Sequence, residues 1–330
     1  MRLRRSDCSG SGIRRRRRGR GFSYEDAGGR RIADGETLAR IRALAIPPAW
    51  EEVWICPEPL GHIQATGIDA AGRKQYRYHE RWEQRAAERK FEATREFARQ
   101  LPRLRRAVGR DIRREGMPRE RALACAVRLL DLGFFRIGGE EYADEHGSYG
   151  VATVLREHVS IADGEMVFDF PAKSGQRRVQ AIRDAETIAA IETMRRRRSG
   201  PDDLLAFRDD DGWHDVRSAD VNAYIQEGIG EEYSAKDFRT WQGTVLAAVA
   251  LAGEPKPSSA AAAARTISAA VKEVAEALGN TPAVCRRSYI DPRVLDRYRD
   301  GETIDVPIPR GPISARGRSR IERAVLELLS

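Results

Sequence analysis

The chain has 330 residues, a hydrophobic content of 41% and a formal net charge of +8. This length accommodates two domains with separate cores, and the lack of a long apolar run argues against a membrane span and favours a globular protein. The first residues are charged but lack the apolar stretch of a secretion signal, so we expect a cytoplasmic protein. The four cysteines and five histidines are scattered, so the sequence predicts neither a disulfide framework nor a zinc site.

The N-terminal segment, residues 1–20, is strongly basic. It contains nine arginines and one acidic residue, which account for the whole formal net charge of +8. Such a composition is typical of a flexible arm that binds a polyanion, most commonly nucleic acid. We therefore expect a flexible basic arm here, with a disordered solubilising tail as the alternative.

Residues 21–88 mix short strand-like runs with turns, which predicts a small N-terminal domain built on a β-sheet. Residues 64–67 and 75–79 flank a turn at Gly72, the pattern of a β-hairpin whose second strand is basic and aromatic. Because side chains alternate along a strand, Tyr76 and Tyr78 share one face. Their alternative role is as core residues of the sheet.

From about residue 83 the apolar residues recur at helical spacing, so we place a domain boundary near residue 88 and predict a mainly α-helical domain over 89–330. Residues 166–170 and 176–182 are strand-like and enclose the turn PAKSG, which places Lys173 at a hairpin tip. Residues 258–280 predict a long helix with Gly279 and Asn280 at its C-terminal boundary. The fold class is therefore α+β.

A tyrosine lies directly before a helix start near the C-terminus. Asp291 and Pro292 have the pattern of an N-cap and a first helical residue, so Tyr289 is expected just outside the helix, where its hydroxyl is available. A packing role for this tyrosine is the alternative.

Arginine supplies nearly all the positive charge, since only six of the 58 basic residues are lysines. A lysine retained in such a composition can serve in proton transfer, which a guanidinium cannot do. Five polar residues interrupt apolar surroundings: Arg136, Lys173, Arg239, Asn280 and Tyr289. Together they are the parts required for phosphoryl transfer through a tyrosine: a phenol nucleophile, groups that hold the phosphate oxygens, and a lysine that protonates the leaving oxygen. On these grounds alone, chance selection from an arginine-rich sequence remains open.

Specific strings carry a family resemblance. IPPAWEEVWI, GRKQYRYH, FRIGGEEYADEHGSYG, KSGQ, KDFRTW and LGNTPAVCRRSYIDP resemble the type IB DNA topoisomerases, in particular their short bacterial and poxvirus-like forms. The resemblance extends from about Gly12 to about Arg297 in the order and spacing of the family. It implies that Tyr289 is the nucleophile of a 3′-phosphotyrosyl link, and that its catalytic partners are Arg136, Lys173 (the general acid), Arg239 and Asn280. The family position matched by Asn280 is histidine in the poxvirus and eukaryotic enzymes and asparagine in bacterial ones.

The resemblance also implies a catalytic domain of the type IB topoisomerase and tyrosine recombinase kind. The implied activity is relaxation of supercoiled DNA by single-strand cleavage, swivelling and religation, with no metal, nucleotide or other cofactor. The implied form is a nucleoid-associated monomer that clamps double-stranded DNA. The implied DNA contacts are Arg73, Lys74, Gln75, Tyr76, Tyr78 and Lys236, although Lys236 could equally be a solvated surface residue.

Two other functions remain open. A tyrosine recombinase shares the catalytic chemistry but usually carries H-x-x-R at the second arginine, whereas Lys236 stands three residues before Arg239. A non-enzymatic DNA-binding protein is disfavoured because all five catalytic positions hold competent residue types. The first eight residues depart from the family pattern, so their role is open.

Overall fold

The computed structural model describes residues 2–308 and 314–330, apart from the side chains of Tyr142 and Ser174. The chain divides into two compact units, Met1–Glu92 and Ala93–Ser330. This division and the predicted boundary near residue 88 both fall within one helix, Glu80–Asp111. None of the helices in the described ranges has the length and apolar character that crossing a bilayer demands.

The first unit is built on an antiparallel sheet with strand order β2-β1-β3-β4-β5. Its elements are β1 (Ile13–Arg18), β2 (Gly21–Glu25), α1 (Gly35–Ala43), β3 (Glu51–Ile55), β4 (Ile63–Ile68), β5 (Lys74–Tyr78) and the first part of α2 (Glu80–Asp111). The predicted hairpin is confirmed as β4 and β5. In its turn, the Asp69 carboxylate accepts the backbone N–H groups of Ala71 and Arg73, each at 3.0 Å. Gly72 takes the left-handed conformation that this turn requires.

The predicted flexible arm over residues 1–20 requires correction, because Ile13–Arg18 is paired on both sides within the sheet. Ile13 is buried and pairs with Ile55 of β3. Arg15 lies on the same side as Ile13, with its guanidinium 4.1 Å from the centroid of the Phe22 ring, and donates to the Pro47 carbonyl at 3.1 Å. By its charge alone the arginine run looked like a flexible arm. On a strand, however, the aliphatic parts of alternate arginine side chains can cover apolar surface.

The second unit is mainly helical, as predicted, and its fold class is α+β. Beyond α2 it contains α3 (Arg119–Gly133), α4 (Glu140–His146), β6 (Val159–Ala162), β7 (Glu165–Ala172), β8 (Gln176–Ile182), α5 (Ala185–Arg195), β9 (Ala206–Asp209), β10 (Gly212–Asp215), α6 (Ser218–Ile229), α7 (Ala235–Ala252), α8 (Ala260–Leu278), α9 (Pro282–Ser288), α10 (Pro292–Arg299) and α11 (Ala315–Leu328). Strands β6, β7 and β8 form one antiparallel sheet, and β9 pairs with β10. The hairpin β9–β10 was not predicted.

The helices and strands that carry the candidate catalytic residues agree closely with the sequence prediction. Strands β7 and β8 form the predicted hairpin, with a short 3-10 turn, Lys173–Gly175, between them. Helix α8 ends where predicted, because Gly279 takes a left-handed conformation with a φ of +61°. The core behind these elements includes Phe97, Phe168 and Trp241, all almost fully buried.

Helix α11 packs on the second unit, as its amphipathic sequence predicts. Ile321 and Val325 are buried. Arg105 of α2 forms ion pairs with Asp131 of α3 at 2.9 Å and with Glu322 of α11 at 2.6 Å. The three helices are therefore joined by a largely buried ionic network as well as by apolar contacts.

Candidate active site

Tyr289 lies between two short helices, of which the sequence predicts only the second. Helix α9 ends at Ser288, and the Tyr289 backbone N–H donates to the Cys285 carbonyl at 2.9 Å. Helix α10 begins at Pro292, with Asp291 as its cap accepting the Arg293 N–H at 3.0 Å. An N-cap of this kind contributes about 1 kcal/mol and fixes where the helix starts. The hydrogen bond to Cys285 and the Asp291 cap thus hold the backbone on both sides of the tyrosine.

Helix α7 supports the backbone of Tyr289. The Thr244 hydroxyl lies 3.3 Å from the Tyr289 carbonyl oxygen and accepts the Asp291 N–H at 3.1 Å. A Cβ placed on Gly243 would lie only 2.5 Å from the same carbonyl oxygen. Glycine is therefore required at 243 for the tyrosine segment to approach α7 this closely.

The same helix carries Arg239. Its side chain is 4% exposed and donates to the carbonyls of Phe134 and Leu278, the latter at 2.6 Å. The guanidinium carbon lies 5.2 Å from the centroid of the Tyr289 ring. Residues 239 and 289, which are 50 positions apart, are thus brought together because the Tyr289 segment packs against α7.

Arg136 and Asn280 form a second pair. Arg136 follows α3, which ends at Gly133 and is capped by Phe134 in a left-handed conformation with a φ of +55°. Nη2 of Arg136 donates to the Gly279 carbonyl at 3.0 Å and to Oδ1 of Asn280 at 2.8 Å. The Asn280 backbone N–H donates to the Ala275 carbonyl at 2.9 Å, which fixes this residue against the end of α8.

The C-terminal end of α8 is the meeting point of three arginines. Arg136 reaches the Gly279 carbonyl, Arg239 the Leu278 carbonyl, and Arg178 of β8 the Ala277 carbonyl. A helix C-terminus carries partial negative charge and unpaired carbonyls, so it attracts cations. Arg178 was missed in the sequence, because nothing there separates it from its neighbour Arg177.

The three guanidinium groups are held without carboxylates. Burial lowers the pKa of each of Arg136, Arg178 and Arg239, and Arg136 further lowers the pKa of the other two. Across residues 2–308 and 314–330, the described ion pairs do not include any of the three. Within the described residues, backbone carbonyls and the amide oxygens of Asn280 and Gln180 offset this positive charge, and no carboxylate does. Such a setting favours an anion such as a phosphate.

Two predicted lysines lie at the surface. Lys173 is exposed in the turn between β7 and β8, and the described contacts do not join its side chain to the other four predicted catalytic residues. Lys236 is exposed in the first turn of α7, three residues before the buried Arg239. The structure thus brings Arg136, Arg239, Asn280 and Tyr289 together and leaves both lysines open to solvent.

In the first unit, the predicted DNA contacts share a sheet with the basic strand β1. Paired residues in adjacent antiparallel strands lie on the same face. The pairing register aligns Arg14, Trp54, Thr66 and Tyr76 in one row across the sheet. The core residues Ile13, Ile55 and Ala65 form the next row, on the opposite face. The outer face therefore combines exposed arginines with exposed tyrosines.

The outer face has an aromatic end on β5. Tyr76 and Tyr78 are 42% and 38% exposed, and their rings stack with centroids 6.0 Å apart, so a surface role is favoured over the core alternative. Lys74, on the same strand, is also exposed. Asp69 forms an ion pair with Arg73 at 3.1 Å and accepts a hydrogen bond from the Gln75 amide at 2.9 Å. Arg73 and Gln75, both predicted to contact DNA, are therefore bonded to Asp69 within the hairpin.

Comparisons with known proteins identify the family of the chain. A family model described as eukaryotic DNA topoisomerase I, catalytic core, matches residues 79–303. A second model, bacterial DNA topoisomerase IB, N-terminal domain, matches residues 21–69. Both models describe topoisomerases, which favours a topoisomerase over the recombinase alternative.

Individual relatives give the same result. A DNA topoisomerase 1B of Acanthamoeba polyphaga mimivirus is 33% identical over 297 residues, which cover 88% of this chain and 88% of that protein. The DNA topoisomerase 1B of vaccinia virus (strain Western Reserve) is 21% identical over 262 residues, 78% of each chain. A DNA topoisomerase 1 of Candidozyma auris matches over 158 residues at 26% identity, 47% of this chain and 20% of that protein. With a family model over most of its length and a relative at 33% identity, the chain belongs to the type IB DNA topoisomerases.

Proposed function

We propose that this enzyme relaxes supercoiled double-stranded DNA by cutting one strand through Tyr289, letting the duplex swivel, and resealing the cut. The observation that carries the proposal is the group of buried and half-buried arginines beside Tyr289 without a carboxylate partner. A phosphodiester is the anion that such a group suits, and the phenol beside it is the nucleophile.

The proposed roles follow from position. Arg136 and Arg239 hold the non-bridging oxygens of the scissile phosphate, where negative charge develops during attack. Oδ1 of Asn280 accepts from Arg136, and its amide nitrogen donates one N–H to the Leu278 carbonyl at 3.4 Å, so the second amide N–H is the one that donates to the same phosphate. Preorganised donors of this kind supply the charge that a magnesium ion supplies in other phosphoryl transferases.

The reaction balances without a co-reactant. The Tyr289 phenolic oxygen bonds to phosphorus and gives up its proton to solvent, while the bond from phosphorus to the 5′-oxygen breaks. The leaving 5′-oxygen takes a proton from the Lys173 ammonium, which acts as general acid. Religation is the reverse: the 5′-hydroxyl attacks the phosphotyrosine and the phenol leaves. Because the bond energy is kept in the phosphotyrosine, we expect no requirement for ATP. Because the arginines stabilise the developing negative charge, we expect no requirement for a metal.

DNA binding is proposed to involve both units. The outer face of the first unit offers arginines for phosphate contacts and the Tyr76 and Tyr78 pair for the edges of bases or sugars. Lys236, exposed close to Arg239 along α7, adds a phosphate contact near the cleavage site. We propose that a monomer, associated with the nucleoid, clamps the duplex in this way.

The test is relaxation of negatively and positively supercoiled plasmid in EDTA without ATP, comparing the wild type with Tyr289→Phe. We expect the wild type to relax both signs and to become covalently attached to nicked DNA when it is denatured during the reaction. Tyr289→Phe should bind DNA normally and give neither product. Relaxation by the phenylalanine variant would refute the assignment of the nucleophile. Binding without relaxation by the wild type would instead favour a recombinase that requires its own site, or a DNA-binding protein without catalysis.

A further inference from the structure

The hairpin that carries Lys173 is joined to the active-site end of α8 by one side chain, Arg178. Nη2 of Arg178 donates to the Ala277 carbonyl and, at 3.1 Å, to Oε1 of Gln180. Nη1 donates to the Glu276 carbonyl at 3.4 Å. Within the part of the chain that the structure describes, the hydrogen bonds from β8 to α8 all come from this residue.

The strand register explains why Arg178, and not its neighbour, makes this contact. Arg178 pairs with Phe170 of β7 and so lies on the face of the hairpin that packs on the core. Arg177 lies on the opposite face, is exposed, and donates to the Asp169 carboxylate at 2.7 Å. Of two adjacent arginines, one is thus directed to the active site and the other to solvent.

The contact between Arg178 and the end of α8 has an electrostatic cost. Burial lowers the pKa of Arg178, and the nearby Arg136 lowers it further. Taking a guanidinium out of water next to a second cation is unfavourable, and the carbonyls at the end of α8 together with the Gln180 amide oxygen offset this cost. An arginine that served solubility alone would lie on the exposed face, as Arg177 does.

We propose that Arg178 is a positioning residue for the general acid. It fixes the part of the β7–β8 hairpin next to the turn against the end of α8, so that Lys173 is held at the 5′-oxygen of the phosphate bound by Arg136 and Asn280. Lys173 is the first residue of the turn and lies five residues before Arg178, so fixing Arg178 restricts where the turn can lie. This inference rests on the proposed function and assigns to Arg178 an action through Lys173.

Proton delivery and phosphate binding can be separated chemically. A 5′-oxygen leaves as an alkoxide unless Lys173 protonates it, whereas a sulfur at the same bridging position leaves as a stable thiolate that needs no proton. A variant defective in proton delivery is therefore relieved by the sulfur substrate. A variant defective in holding the phosphate oxygens is slow on both substrates.

The experiment measures single-turnover cleavage of matched oxygen and 5′-bridging-sulfur duplexes by the wild type, Lys173→Ala, Arg178→Ala and Arg183→Ala. Arg183 is a control on the same hairpin, where it is exposed and ion-paired with Glu165 at 2.9 Å. General acid catalysis contributes about 100-fold or more, so a displaced lysine should cost Arg178→Ala at least about 10-fold on the oxygen substrate. On the sulfur substrate the rate should return close to wild type, as for Lys173→Ala. Arg183→Ala should match the wild type on both substrates.

The outcomes are distinguishable. If Lys173→Ala is relieved by sulfur and Arg178→Ala is equally slow on both substrates, the positioning role is overturned and Arg178 acts on the phosphate instead. An oxygen-substrate rate for Arg178→Ala equal to the wild-type rate also overturns it. If Lys173→Ala itself is not relieved, the proposed general acid fails, which is a separate result. Should Arg178→Ala unfold, Arg178→Lys keeps one charged donor toward the Ala277 carbonyl. We expect it to show the same sulfur preference in weaker form, and an unchanged ratio of sulfur to oxygen rates would refute the proposal.

Discussion

Oδ1 of Asn280 accepts a hydrogen bond from Nη2 of Arg136 at 2.8 Å, although the two residues are 144 positions apart in the chain. The amide oxygen therefore orients the arginine. The amide nitrogen donates one N–H to the Leu278 carbonyl at 3.4 Å, and its second N–H is the donor proposed for the substrate. A neutral side chain at this position cannot titrate, so Asn280 itself contributes no pH dependence to cleavage.

The substitution Asn280→Asp tests these separate roles of the amide oxygen and the amide nitrogen. A carboxylate keeps an acceptor for Arg136 but removes the amide donor and adds negative charge beside the phosphate. Because removing one donor to a developing oxyanion costs about 100-fold or more, we expect cleavage to fall by at least that factor. Thermal unfolding should change little, since the acceptor is retained. Wild-type cleavage by Asn280→Asp in a single-turnover assay would contradict the proposed role.

Gly243→Ala should impair catalysis by displacing the nucleophile. The added Cβ would lie 2.5 Å from the Tyr289 carbonyl oxygen, so the tyrosine segment has to move away from α7. A misplacement of about 1 Å can cost about 100-fold in rate, so we expect a loss of that order in single-turnover cleavage with DNA binding retained.

The matched control for that substitution is Gly253→Ala, at the C-terminal end of the same helix. There the nearest atom to an added Cβ is the Ala250 carbonyl oxygen at 3.6 Å, an ordinary contact. This variant should cleave at the wild-type rate. Equal effects of the two alanines would show that the close approach at Gly243 is not what positions Tyr289.

The exposed arginines of β1 should contribute to the salt dependence of DNA binding. Deleting the segment would remove a strand of the sheet, so substitution is the cleaner test. Arg14→Gln and Arg18→Gln each remove one charge from the outer face. If the substituted arginine binds a phosphate, the slope of log K against log salt concentration should become shallower by about 0.9. Binding measured across a salt titration gives the slope, and an unchanged slope in both variants would mean that this end of the face does not touch DNA.

Stability should depend on the protonation of Asp203. Burial and, to a smaller extent, the neighbouring Asp215 raise the pKa of this carboxyl to about 6, against the opposing effect of Arg197. The folded protein therefore favours the protonated acid. The resulting contribution to stability is present below the unfolded pKa of about 3.9 and is lost as the pH rises through about 6.

Asp203→Asn removes this dependence. We expect its melting temperature to exceed that of the wild type at pH 7–8, with the difference shrinking toward pH 4. Asp202→Asn is the control, because Asp202 is exposed and forms an ion pair with Arg156 at 2.9 Å. A gain of the same size at both positions, or no pH dependence in the difference for Asp203, would contradict this assignment.

The sequence by itself determined the features that depend on neighbouring residues. Asp291 and Pro292 start a helix wherever that helix packs, so the position of Tyr289 just before it was predictable. The turn between β7 and β8 and the end of α8 at Gly279 follow from local backbone preferences in the same way. The identities of the candidate catalytic residues were readable because the strings around them resemble those of the family.

The tertiary structure decided which charged side chains lie close together. Whether the arginines of β1 form an arm or a strand depends on pairing with β3, which lies more than 30 residues further along the chain. The choice of Arg178 over Arg177 depends on which face of the hairpin packs on the core. Arg136, Arg178 and Arg239 come from three separate segments, and they converge because the end of α8 presents unpaired carbonyls with partial negative charge to all three. Long-range packing sets that convergence, and no local pattern in the sequence encodes it.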